Sequence, residues 1–169
     1  MRKLTKYIVF TLVLSIFTIT TAKADNVNIL LGGWSNHLKH DSYHKVSEDA
    51  LHKFNSSHNM VGFEYKNIVL STFKNSYYNT SVLLGYNYNV VNFKTITNHK
   101  LNLVMGVVSG YNEYQAQEAY IGKGLSLYLL PTINTEIAKY KDVTLSLDTG
   151  IILGGNPVLV NSINIKIDF

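Results

Sequence analysis

The chain has 169 residues, no cysteine, and fifteen lysines and arginines against eleven aspartates and glutamates. That length suits one domain, and without cysteine neither a disulfide framework nor a thiolate metal site is available. Arg2, Lys3, Lys6 and Lys23 are four of the fifteen basic residues, so beyond residue 24 eleven basic groups face eleven acidic ones; a nucleic-acid partner has no electrostatic support.

Met1-Arg2-Lys3-Leu4-Thr5-Lys6 is basic, Tyr7 to Thr18 is apolar, and Ala22-Lys23-Ala24 offers small residues. This pattern predicts a secretory signal peptide over residues 1–24, cleaved after Ala24. The apolar run is short for a permanent membrane helix. Residues 25–169 are left as one exported domain.

Twelve tyrosines, eleven glycines and only two prolines favour strands and tight turns. Eight strands are expected, over 27–38, 58–66, 68–76, 80–91, 99–111, 125–137, 142–152 and 157–169. In the fourth, Val82, Leu84, Tyr86, Tyr88 and Val90 share one face, with Ser81, Leu83, Gly85, Asn87 and Asn89 on the other. In the eighth, Leu159, Ile163, Ile165, Ile167 and Phe169 stand opposite Ser162, Asn164, Lys166 and Asp168. Several strands reach the roughly 9–11 residues that cross a bilayer when tilted. An even strand count and an alternating last strand ending in Phe predict an all-β, eight-stranded antiparallel transmembrane barrel of the outer-membrane type. Closure makes this viable in lipid, where a soluble sandwich would leave open edges. Tyr65, Tyr88 and Tyr140, near strand ends, suit an interfacial girdle.

Turns at 66–67, 92–98 and 138–141 are short, while the alternate connections include the long segments 39–57 and 112–124. The long ones share an end, taken as the outside, and both termini lie at the other. With the more polar alternation facing inward, Met60, Leu83, Val104, Val108, Leu130, Val158 and Val160 line the upper lumen. Glu64, Lys66, Asn89, Asn102, Asn134, Glu136, Asn164, Lys166 and Asp168 make the floor. Apolar walls over a polar base suit one hydrocarbon chain.

His40, His44, His52 and His58 have no ligand spacing, and no metal site is expected from them. Val46 to Phe54 has the pattern of a short amphipathic helical turn, but a mobile loop segment is the expectation there. Gly32-Gly33 and Gly154-Gly155 lack the following helix that a phosphate cradle needs. Two strand tops converge on the outer rim, one ending Gly32-Gly33-Trp34-Ser35-Asn36-His37-Leu38 and the other Phe73-Lys74-Asn75-Ser76-Tyr77. A histidine beside a serine there suits general-base activation of a hydroxyl.

Phe73-Lys74-Asn75-Ser76-Tyr77 followed by Leu84-Gly85-Tyr86 resembles the lipid A palmitoyltransferase (PagP) family. Trp34 with His37, Leu129-Leu130-Pro131 and Ile165-Lys166-Ile167-Asp168-Phe169 support the likeness, which runs from about Trp34 to Phe169. The resemblance implies a monomeric outer-membrane acyltransferase without a cofactor. Its partners would be membrane lipids, with a phospholipid donor and a lipid A acceptor in the outer leaflet. It implies a catalytic trio of His37, Asn75 and Ser76, where Asn75 replaces the family's Asp. An amide holds a partner by hydrogen bonds but bears no charge to stabilise an imidazolium; Asp41 is the nearby carboxylate considered in its place. The substrate would meet Tyr77, Leu83, Gly85, Asn87, Val104, Val108, Leu130 and Pro131. Asn87 stands where the family has the glycine that closes its hydrocarbon ruler, which implies a chain shorter than palmitate. Pro131 cannot donate to a ladder and marks a break through which a tail would enter sideways. The alternative is a non-catalytic lipid-binding or structural barrel of the same fold, which Asn75 and Asn87 favour.

Overall fold

The computed structural model describes residues 26–38, 43–47, 50–116, 119–152 and 157–169. The leader and its cleavage after Ala24, together with His40, Asp41 and Gly154-Gly155, lie outside the described residues, as do the side chains of His44 and His52.

The strands are β1 (Asn26–His37), β2 (Tyr43–Ser47), β3 (Ala50–Lys53), β4 (Ser57–Tyr65), β5 (Ile68–Lys74), β6 (Thr80–Lys94), β7 (Asn98–Ser109), β8 (Tyr120–Gly122), β9 (Leu125–Tyr140), β10 (Val143–Ile152) and β11 (Val158–Asp168). Eight of them form a closed antiparallel barrel in the order β1-β4-β5-β6-β7-β9-β10-β11, and β11 returns to pair with β1 from Asn26↔Asp168 to His37↔Val158. Their bounds follow the expected ones closely. Within 46–54 the described Val46 and Ser47 belong to β2 and Ala50–Lys53 to β3, two strands paired with His44 opposite His52, so neither stretch is helical. The three-residue β8 pairs with the top of β9, after a helix of one turn, Glu113–Ala116.

The alternation is inside-out relative to a water-soluble domain. Val61, Phe63, Val82, Leu84, Leu127 and Leu129 are exposed on the outer wall, and the buried side chains among the described residues are twelve polar against five apolar. This is the architecture of an outer-membrane-type barrel, whose wall meets hydrocarbon and whose interior is polar. Tyr65, Tyr88 and Tyr140 are exposed toward the turn end, where the chain termini also lie.

Buried polar groups need partners, and the lower lumen supplies many of them from strand to strand, although Asn87 Oδ1 and Asn164 Oδ1 are left without one among the described residues. Asn89 Nδ2 donates to Asn102 Oδ1 (2.9 Å), and Asn134 Nδ2 donates to Ser146 Oγ (2.8 Å) and Asp148 Oδ1 (2.7 Å). Asn164 Nδ2 donates to the other oxygen of Asp148, and Asn87 Nδ2 to Glu64 Oε2 (2.9 Å). Lys66, expected in this floor, instead sits exposed in the β4–β5 turn with φ of 48° and its ammonium 5.1 Å from the Tyr65 ring. A two-residue turn requires positive φ at its corners, and that takes Lys66 out of the strand alternation. Above the floor, Leu30, Val69, Leu83 and Val108 form an apolar cluster with Met60, Phe73, Val104, Tyr111 and Tyr128 packed on it.

Candidate functional site at the loop end of the lumen

A cavity of about 140 Å³ opens at the loop end and runs down the lumen. That is space for roughly five waters, or a slender apolar segment. Its walls are mostly apolar, with Leu30, Met60, Leu83, Val104, Leu130 and Val160 among them, and its lower boundary is set by Glu64, Asn87, Thr132 and Asp148. His58, Phe73, Ser76 and Tyr111 stand round its upper part.

The expected site residues divide by what they touch. Leu83, Asn87, Val104, Leu130 and Ser76 line the cavity. Val108 lies one layer back in the apolar cluster. Gly85 has a packing role: it pairs with Gly106, and a Cβ added at Gly85 would stand 2.7 Å from Met105 O. Tyr77 meets Phe54 and Tyr111 edge-on, at ring-centroid distances of 5.5 and 6.2 Å. His37 stacks on the same Phe54 (4.2 Å, 8° between planes), so one aromatic ring connects it to the 75–79 connection. Burial raises the Tyr77 and Tyr111 phenols above their ordinary pKa, Tyr111 more so and with a further contribution from Tyr77. Both remain protonated at neutral pH.

Asn75 is fully buried (0% exposed) and saturated. Its Oδ1 accepts from the backbone N–H groups of Tyr77 (2.9 Å) and Asn79 (3.0 Å), while Nδ2 donates to Ser81 Oγ (3.1 Å) and Gly110 O (2.9 Å). Those four bonds exhaust what an amide can make. Asn75 therefore shapes the connection that presents Ser76, and its side chain has no hydrogen bond to spare for a catalytic histidine.

Two residues unnoticed as a pair in the sequence are joined here. His58 Nε2 lies 2.8 Å from Ser35 Oγ, and His58 Nδ1 lies 2.6 Å from Lys74 O. A carbonyl only accepts, so Nδ1 carries the proton and, in the neutral ring, Nε2 accepts from the serine hydroxyl. Asn55 locks the arrangement: Nδ2 donates to Lys74 O (3.3 Å) and Asn75 O (3.1 Å), and Oδ1 accepts from Ser57 N (3.1 Å). Ser35 faces inward because β1 bulges. Gly32 and Gly33 have φ of 80° and 92°, and the register with both neighbouring strands shifts between Leu31 or Gly32 and Trp34. Without that extra residue, Ser35 would share the outer face of Ile29 and Leu31.

β9 pairs with β7 along 125–135, and among the described residues its last pair with β10 toward the loop end is Thr132↔Gly150. Pro131 is the next residue up, and its carbonyl is turned toward Gly150, where an added Cβ would stand 2.9 Å from it. In a strand the N–H points to the same side as the carbonyl, so the missing proline N–H falls on the β10 side. Among the described residues no group of three or more His, Asp or Glu is placed to hold a metal ion. No protein-family model and no curated protein matches the sequence.

Proposed function

We propose that this protein is an outer-membrane barrel that takes one acyl chain into its upper lumen and transfers it, at the loop end, from a glycerophospholipid to lipid A. The observation that carries the reading is the cavity's division into apolar walls above and a hydrogen-bonded polar floor below. A water channel would be polar throughout, and a purely structural barrel would be filled. An alkyl tail gains about 0.8 kcal/mol per methylene buried against such walls. It stops where burial would strip Glu64 and Asp148 of their partners. The end of the described β9–β10 ladder at Thr132↔Gly150, next to a proline that cannot donate, supports entry from the side. The resemblance around Phe73 to Tyr77 supports the choice of lipid A as acceptor, with His37 and Ser76 at the rim where the ester would sit.

The second reading, a lipid-binding barrel without chemistry, is favoured by one observation: the Asn75 amide is wholly spent on structure. Mass spectrometry of lipid A from cells expressing the protein, the Leu83→Arg variant, or neither separates the two. An added acyl group in the first sample alone supports transfer. Identical spectra, with an acyl lipid co-purifying on the protein, would establish the second reading.

A further inference from the structure

We propose that Ser35 and His58 form a nucleophile–base pair that carries the acyl group as a serine ester. The proposal rests on the acyl-chain reading of the cavity for its substrate class, but the pair's geometry stands independently. An activated serine needs a base within hydrogen-bond reach and a third group that orients the base. Here the serine–imidazole distance is 2.8 Å and the imidazole–carbonyl distance 2.6 Å. The Lys74 carbonyl fixes the ring in the tautomer whose Nε2 lone pair faces the serine, the role a carboxylate fills in other serine enzymes.

Three further observations separate this pair from an ordinary serine hydrogen-bonded in a core. The Gly32-Gly33 bulge, with two consecutive positive φ values, turns Ser35 inward, and such bulges re-aim side chains beside functional sites. Gly33 lines the cavity and leaves it open on the approach to the pair; a Cβ there would crowd Met60 Cβ at 3.2 Å and His58 Cβ at 3.3 Å. His58 itself lines the upper part of the cavity, above Met60 and the apolar walls that would hold a tail. Ser35 is only 1% exposed, so an ester reaches it from the cavity side, past His58, where bulk water does not compete.

In the first step the Ser35 hydroxyl proton passes to His58 Nε2 as Oγ bonds to the ester carbonyl carbon. The ester C–O bond then breaks, and the leaving alkoxide takes that proton and departs as a lyso-lipid alcohol. In the second step His58 accepts the proton of an acceptor hydroxyl, whose oxygen attacks the serine ester. Ser35 leaves and recovers the proton from His58.

The test uses alkyl fluorophosphonates on the folded full-length barrel in detergent, with peptide mass spectrometry to locate the adduct. Oγ bonds to phosphorus, fluoride leaves, and the serine proton goes to His58. The decyl probe should label Ser35, the adduct should vanish in Ser35→Ala, and the rate should fall at least tenfold in His58→Asn. Ser109→Ala, whose hydroxyl accepts from Val82 N away from the cavity lining, should label at the wild-type rate. Heat-dependent migration on a denaturing gel confirms that each variant is folded. No adduct on folded wild type, or an adduct on Ser76 in its place, overturns the proposal. Labelling of Ser35 at equal rates by ethyl and decyl probes would support the pair and overturn the acyl-chain reading of the cavity.

Discussion

Asn87 Nδ2 donates to Glu64 Oε2 at 2.9 Å across the lumen, joining β6 to β4 past the intervening β5. Asn28 also donates to Glu64, so this carboxylate is held by two amides at the level where the apolar lining ends. In the proposed acyl-chain reading this bond is the stop. A chain terminus pushed further would have to displace a charge-assisted hydrogen bond, worth about 1.5–3 kcal/mol. That exceeds the roughly 0.8 kcal/mol gained per added methylene. Asn87→Gly removes the stop and is expected to lengthen the preferred acyl chain by at least one methylene. It should also cost about 1–3 kcal/mol of stability through the weakened Glu64 site. Acyl lengths on lipid A or on co-purified lipid, read by mass spectrometry, check the first expectation, and urea unfolding in detergent checks the second. Unchanged chain length would remove Asn87 from the specificity argument.

Asn75→Asp restores the residue type of the resembling family and is nevertheless expected to be harmful. Both donors of the amide are in use, one of them on Gly110 O. A carboxylate there would aim an oxygen at a carbonyl oxygen. Ser81 can rotate its hydroxyl to donate, but the Gly110 carbonyl cannot adapt. The expected loss is about 1–3 kcal/mol, the cost of a buried group left without its partner. It should appear as a lower urea midpoint with no gain in acyl transfer. A variant both stable and more active would show that the amide stands in for a catalytic acid.

The eight staves were legible because each keeps strict two-residue alternation over most of its length, and period two has no competing explanation. The floor was legible for the same reason, as Glu64, Asn87, Asn102, Asn134 and Asn164 fall on one face of their strands. What escaped was anything that a single inserted residue moves. Ser35 has the odd parity of outward Ile29 and Leu31, and only the backbone at Gly32-Gly33 turns it toward His58. His58 shares the parity of Met60, so its inward aim was available from alternation alone, yet a lone histidine at a strand start looks solvated. The saturation of Asn75 depends on Ser81 and on Gly110, 35 residues away, and no local pattern encodes it.

Gly33→Ala tests the bulge directly. Position 33 has φ of 92°, a conformation that L-residues resist by about 1–2 kcal/mol. The new methyl would also press on the Cβ atoms of Met60 and His58. Relief by flattening the bulge would rotate Ser35 away from His58. The variant is therefore expected to lose about 1–2 kcal/mol of stability and more than tenfold in Ser35 labelling, a kinetic loss larger than destabilisation of a still-folded barrel explains. Gly122→Ala, where φ is 109° but no atom lies within 4 Å of the added Cβ, is the control. It should share the strain and keep the labelling.

Pro131→Thr tests the seam. Threonine is β-branched and suits a strand, and its N–H would point toward β10, just above the last paired residues Thr132 and Gly150. The substitution supplies the donor that the ladder lacks there. It is expected to extend β9–β10 pairing upward and raise stability by about 0.5–1.5 kcal/mol, the net worth of one hydrogen bond. Entry of a tail through the wall would then require breaking that bond, which should slow uptake by roughly threefold to tenfold, since 1.4 kcal/mol corresponds to tenfold. Uptake of a fluorescent phospholipid from vesicles into the reconstituted barrel measures this. Amide hydrogen exchange at the new N–H of residue 131 reports whether the seam has closed. A closed seam with undiminished uptake would place the entrance at the open loop end of the lumen.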